Sequence, residues 1–492
     1  MNFYYRFRLV LLLAVLSCSA LFAQTKEVAK GNKIIISSIK LEGNRRTKTS
    51  IILRELTFKK GDTIPSSQWG ETVLRSKNNI LNTSLFNFVT IDSVVHPDGQ
   101  TDLTIIVVER WYILPAPIFQ LEERNFNVWW DQDHRSLSKV DYGFLISDNN
   151  FRGRKEVLKL KLQLGYTQQW GVSYDIPYIS KHQDLGLQFN FTSSQNKEIA
   201  YTSVGNIQTF LKTPDVVLQQ QYTSAIDLTY RQGLYNIHYL ELNFSACYIN
   251  DTILKLTHYY LPGDIDHTAF FGGKYFFRRD MRDRSFYPLD GYYFDGSIND
   301  YGFGVAIPKQ PAFNILYLQS SIHKYWGMTN NLFYAVEVQG KVSIAGSEPN
   351  ALPSGKGTLE GSQPYYLQRG LGYGNDFVRG YEYYVIDGNN YALAKNEIKF
   401  RFLNVPVQQL PLFGVKQFDK AYYALYLTAF TDWGYVGDAD PNVQNNFLAN
   451  TPLWGYGAGI DLVAYYDVVL RFEYSFNKLN QHGFFLHFLA DM

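Results

Sequence analysis

"LKLKLQL", residues 158–164, alternates apolar and polar side chains without a break. In an extended chain successive side chains point to opposite faces, so the four leucines share one face and Lys159, Lys161 and Gln163 the other. A helix would scatter those leucines around its circumference. Period two therefore makes this a strand with one apolar and one polar surface, and the fold depends on which surface faces inward.

The same alternation recurs at 174–176, 185–191, 226–230, 239–244, 398–402, 423–430 and 470–476, with turn residues between the segments. The chain has 492 residues, a formal net charge of +1, 38 Tyr, 35 Phe and 37 Gly. Mean hydropathy is −0.21, and no internal apolar run is long enough for a membrane helix. A soluble sandwich would also alternate, with its apolar residues turned inward. Aromatic richness, export and repeated segments of about ten residues favour the opposite sense, with leucines to lipid and lysines to a lumen. The expected fold is mainly β: a transmembrane antiparallel barrel of about 16 strands. Closure leaves such a sheet no unpaired edge in lipid. A charge near zero without a basic patch gives no reason to expect nucleic acid.

Export is read from the N-terminus. Arg6 and Arg8 precede the apolar run 9–16, and small residues lead to Ala23. This is a secretory signal peptide, residues 1–23. Cys18 leaves with it, and the remaining Cys247 has no partner for an internal disulfide.

Residues 33–110 follow another grammar. A strand ends at Gly43-Asn44, a short helical stretch covers 49–56, and a second helix runs through Trp69, Val73, Leu74, Ile80 and Leu81. Two strands, 88–94 and 103–109, flank the hairpin signal Asp98-Gly99. The result is a small α+β domain. Residues 111–138 read as a linker and 139–492 as the barrel, with its first strand at about 139–147 and its last at about 483–490. Long connections at 250–266, 279–290 and 345–390 contrast with short ones such as 328–331. That asymmetry fits long extracellular loops and short periplasmic turns.

Several stretches resemble the BamA/TamA outer-membrane assembly family. "IKLEGNRRT", "GDTIP", "LNTSLFNFVTI" and "LTIIVVER" are similar in order and spacing to a POTRA domain, the family's periplasmic module, with Gly43, Asn44 and Phe86 at its marked positions. "SDNNFRGRKEVLKL" resembles the family's first hairpin. "RRDMRDRSFYPLDGYYFDG" resembles its central element, through Asp283, Arg284, Tyr287, Pro288 and Gly291. "FVRGYEYY" matches the signature of the sixth extracellular loop, in Val378, Arg379, Gly380 and Tyr381, and "FTDWGYVGD" brings Asp432. Gln481, Gly483, Leu486 and Phe488 have the form of a last-strand targeting signal, although four residues follow Phe488.

The resemblance implies that loop 345–390 folds back into the lumen, where Arg379 meets acids on the wall. A guanidinium in a confined space needs carboxylate partners, and its planar fork suits bidentate pairing. Asp432 and Glu397 lie out of phase with their apolar neighbours, so both are placed to face the lumen.

No Gly-x-Ser-x-Gly elbow or His-Glu-x-x-His motif occurs, and 353–357 lacks the first Gly and the Ser/Thr of a phosphate loop. The histidines, among them His134, His182, His238, His258, His267 and His323, have no metal-ligand spacing. No active site, metal or cofactor is expected. The family resemblance implies an outer-membrane assembly or translocation factor with its POTRA domain in the periplasm. Its expected partners are membrane lipids, unfolded outer-membrane proteins, and accessory lipoproteins or periplasmic chaperones. A TamA-like envelope-homeostasis or lipid-handling barrel, and a dedicated secretion pore for one partner, stay open.

Overall fold

The computed structural model describes residues 33–490, apart from 97–99, 122–128, 131–133, 258–259, 264, 306, 309, 311, 348–363, 368, 410–419, 439–444 and 465–467. The expected signal peptide and the middle of loop 345–390 lie outside the described residues.

The N-terminal domain runs β1 (Lys33–Glu42), α1 (Thr49–Leu53), β2 (Thr63–Pro65), α2 (Ser66–Leu81), β3 (Phe86–Val95) and β4 (Gln100–Glu109). Its sheet has the order β2-β1-β4-β3, with β1 parallel to β4. One face buries Ile36, Ile51, Ile52, Phe58, Ile80, Phe86, Leu103 and Ile105 between sheet and helices. Gly43 closes β1 at φ +94°, and a Cβ there would meet the Val107 carbonyl oxygen at 2.0 Å. Only glycine fits.

The second region adds β5 (Ile113–Leu121), β6 (Val140–Phe151), β7 (Glu156–Gly165), β8 (Thr167–Ile176), β9 (Leu185–Asn196), β10 (Glu198–Val204), β11 (Ile207–Lys212), β12 (Gln219–Gln232) and β13 (Asn236–Ile249). The short helix α3 (Asp251–Leu256) follows. Then come β14 (His267–Asp280), β15 (Gly291–Tyr301), β16 (Asn314–Gly327), β17 (Leu332–Ser347), β18 (Asn390–Gln409), β19 (Lys420–Gly437), β20 (Leu453–Ala464), β21 (Val468–Asn477) and β22 (His482–Ala490). With β10 and β11 set apart as a hairpin of their own, sixteen of these strands form one antiparallel sheet from β5 to β22.

The sense of the alternation is that of a membrane barrel. On β7, Leu160, Leu162 and Leu164 are exposed by 49, 56 and 44%, while Gln163 is buried. On β19 to β21, Leu427, Trp433, Ile460 and Phe472 lie outside, and Thr428, Asp432, Asp461 and Glu473 are buried inside. An apolar exterior over a polar interior is the reverse of a soluble sandwich.

Two expectations need correction. The first strand of the sheet is not at 139–147 but one strand earlier, so residues 113–121 of the expected linker belong to the barrel. Pro115 and Pro117 disguise it, because proline ordinarily argues against a strand. Length alone places the connection 279–290 among the long outer loops. Instead it lies at the domain's end of the barrel, where Arg75 of α2 donates to the Met281 carbonyl at 3.4 Å.

The two regions are docked. Arg231 at the end of β12 forks onto Glu55, with both bonds at 2.7 Å. Tyr178, in the β8–β9 turn, packs into the small domain's own core and lies under the Arg54 guanidinium at 4.5 Å. Asn150 donates to Thr47, and Lys48 N–H to the Gly153 carbonyl.

Candidate functional site

The lumen beneath β18 to β22 is occupied by residues 371–389. Glycines on the wall make room. "LWGYGAGID", residues 453–461, alternates so that Gly455, Gly457 and Gly459 share a face with Asp461. A Cβ on Gly455 would stand 1.7 Å from the Arg379 carbonyl oxygen, and one on Gly434 would stand 2.4 Å from Val378. Strand glycines of this kind mark a close backbone approach. Leu371, Val378, Tyr381 and Ile386 pack against Leu393, Val436 and Leu453 of the wall. Gly380 turns the chain at φ +94°, with the Phe476 carbonyl where a Cβ would go.

Arg379 sits at the centre, 4% exposed. Its Nε and Nη2 donate to the two carboxylate oxygens of Asp432 at 2.7 and 2.8 Å, a bidentate fork. Its Nη1 donates to Glu397 at 2.6 Å and to Glu473 at 3.0 Å, and the guanidinium lies 3.8 Å over the Phe430 ring. The structure thus brings Arg379 together with both acids picked from the sequence and adds a third. Glu473 was missed although "RFEYSF", 471–476, places Arg471, Glu473 and Ser475 on one face.

The charges continue along the wall. Arg471 forks onto Asp461, both bonds 2.9 Å, and reaches Glu397 at 3.4 Å. Asp461 also accepts from the Tyr287 hydroxyl at 2.9 Å. Tyr287 belongs to 281–290, the connection at the domain's end, and its ring packs on Tyr426 and Phe333 under Lys399. Two segments entering from opposite ends therefore meet at the two ends of one buried charge cluster. In the same turn Asp283 accepts from the Leu289 and Asp290 N–H groups, Arg284 is half-buried, and Pro288 is buried. Gly291 has φ +102° with the Met281 carbonyl where a Cβ would be. Beside this turn, Arg282 forks onto Asp280 at 2.9 and 2.7 Å.

The inserted segment also touches the last strand. Phe377 stacks on His487 at 5.5 Å, Tyr383 meets Phe485 at 5.6 Å, and Gln481 Nε2 donates to the Tyr384 hydroxyl at 2.8 Å. Gly483, Leu486 and Phe488 pair with Ser475, Phe472 and Leu470 in the β21–β22 ladder. From outside, Asn206 at the β10–β11 tip donates to the Val385 carbonyl and accepts from the Leu448 N–H. In the small domain Asn44 donates to the Thr47 carbonyl and Phe86 is fully buried. Among the described residues no group of three His, Cys, Asp or Glu side chains is placed to hold a metal ion.

Comparison with known proteins bears on both regions. Residues 34–110 match the POTRA family, described as surface antigen variable number repeat. CdiB from Escherichia coli is structurally similar over 92% of this chain and 75% of its own, with a TM-score of 0.52 at 12% identity. BamA from Haemophilus ducreyi lacking POTRA domains 1–3 aligns over 92% of this chain and 83% of its own, at a TM-score of 0.48 and 15% identity. No curated protein matches the sequence. The chain is a POTRA domain joined to a β-barrel, the architecture that the BamA/TamA resemblance implied.

Proposed function

We propose that this chain is an outer-membrane insertion or translocation factor that handles unfolded polypeptide through a seam between β5 and β22. The observation that carries the reading is the sheet's pairing. Every interior strand has two partners, whereas β5 pairs only with β6 and β22 only with β21 among the described residues. A strand edge with unpaired N–H and C=O groups is a template for an incoming strand. The POTRA domain supports the same reading with the ten-residue edge strand β3, whose Val94 and Val95 are exposed. In this account the POTRA domain lies in the periplasm and its edge receives unfolded outer-membrane proteins, with lipoproteins or chaperones as accessory partners. The lumen holds the 371–389 segment as a plug and brace. Arg379, Asp432, Glu397 and Glu473 keep that brace seated, and Phe377, Tyr383 and Tyr384 hold β22 from within. Catalysis has no part in the account.

Depletion followed by outer-membrane proteomics tests it. Loss of many barrel proteins supports general insertion, and loss of a single exported protein supports a dedicated translocation role. An unchanged proteome with altered lipid asymmetry would overturn the reading in favour of lipid handling.

A further inference from the structure

We infer that Pro115 and Pro117 are the residues that hold the β5–β22 seam open. This deepens the seam reading above and rests on it. An antiparallel ladder alternates residues that exchange both backbone bonds with the partner and residues whose N–H and C=O point the other way. β5 runs against β6 in an unbroken register, with Pro115 opposite Ile146, Ala116 opposite Leu145 and Pro117 opposite Phe144. Proline has no N–H, so a continuous ladder across 115–117 requires the even-numbered residues to exchange the bonds with β6. The odd-numbered positions, Ile113, Pro115, Pro117, Phe119 and Leu121, then face the seam.

Two adjacent seam-side donors are therefore missing by covalent structure. Between Ile113 and Phe119, a span of about 20 Å at strand rise, β5 offers β22 no N–H at all. Both prolines are also exposed on the outer face, beside Ile113 and Phe119, where their rings cost nothing in lipid. The parity matters. The same prolines one residue along would have destroyed the β5–β6 ladder, whereas here the loss falls wholly on the side where β22 would pair. Ends of β5 remain able to pair, so the device weakens the seam without detaching the strand.

The test is hydrogen exchange of the full-length protein in detergent or nanodiscs, comparing the native chain with Pro115→Val/Pro117→Val. Restoring the two donors is expected to slow exchange of amides in 482–490 on the order of tenfold, with β6 unaffected. Folding is checked by heat-dependent gel migration. If the double variant fails to fold, Pro115→Ala and Pro117→Ala singly are each expected to slow β22 in the same direction. Ala116→Pro is the opposite control and should speed exchange in β6. Unchanged β22 exchange in a folded variant overturns the inference. Client insertion is assayed separately: a slowed β22 with normal insertion leaves the inference standing and sinks the seam mechanism.

Discussion

Arg379 is bonded to three carboxylates and has no water-facing alternative, so its removal leaves Asp432, Glu397 and Glu473 sharing a buried space with less positive charge. Breaking a buried pair from one side costs about 3–5 kcal/mol. Arg379→Ala is therefore expected to unseat the 371–389 segment while the barrel stays folded, read as new protease cleavage within it. Arg379→Lys should rescue partly, because an ammonium cannot reproduce the fork on Asp432. Asp432→Ala should resemble Arg379→Ala, and the double variant should be little worse than either single, since the two act as a unit. Fully additive defects would contradict that. Asp432 and Glu397 were legible as residues out of phase with apolar neighbours, and Arg379 through the family-like stretch "FVRGYEYY" that carries it. Glu473 and the lumenal glycines were readable by the same parity rule. Finding the Tyr287–Asp461 contact needed the fold, because 174 residues separate the partners.

At the scale of elements, the 281–290 turn and the POTRA docking each yield a measurement. Tyr287→Phe keeps the ring packing against Tyr426 and Phe333 but removes the donor to Asp461, and is expected to cost about 1–3 kcal/mol. A lowered temperature of heat-dependent gel migration would report it, and an unchanged one would show the hydroxyl to be dispensable. On the docking face, burial pushes the Glu55 carboxyl up, but the fork and charge of Arg231 outweigh it, and the group ends below its ordinary value of 4.5. A depressed carboxyl contributes stability above the unfolded value and loses it as pH falls through the folded one. The Glu55–Arg231 contribution to docking is thus expected to be constant from neutrality down into the ordinary carboxylate range and to be lost only below that range. Proteolysis or exchange across α1 and α2 at stepped pH measures this. Release near pH 6 would contradict it. The element errors have physical causes. Pro115 and Pro117 made β5 look like a linker, and loop length alone assigned 279–290 to the wrong end, because an inward-folded turn needs as many residues as an outer loop.

For the molecule as a whole, period two, the aromatic content and the POTRA-like order were enough to give a barrel of sixteen strands behind a small α+β domain. How the domain seats on the barrel, and which strand begins the sheet, depended on long-range pairs such as Glu55 with Arg231 that no local pattern announces. The central claim is that polypeptide passes the seam. It is tested most directly by a reducible crosslink between cysteines replacing Phe119 on β5 and Phe484 on β22, both outward-facing and 76 and 75% exposed, with native Cys247 buried at 1%. The account predicts that purified, crosslinked protein in liposomes stops inserting client barrels and resumes on reduction. Normal insertion by a fully crosslinked form would contradict it.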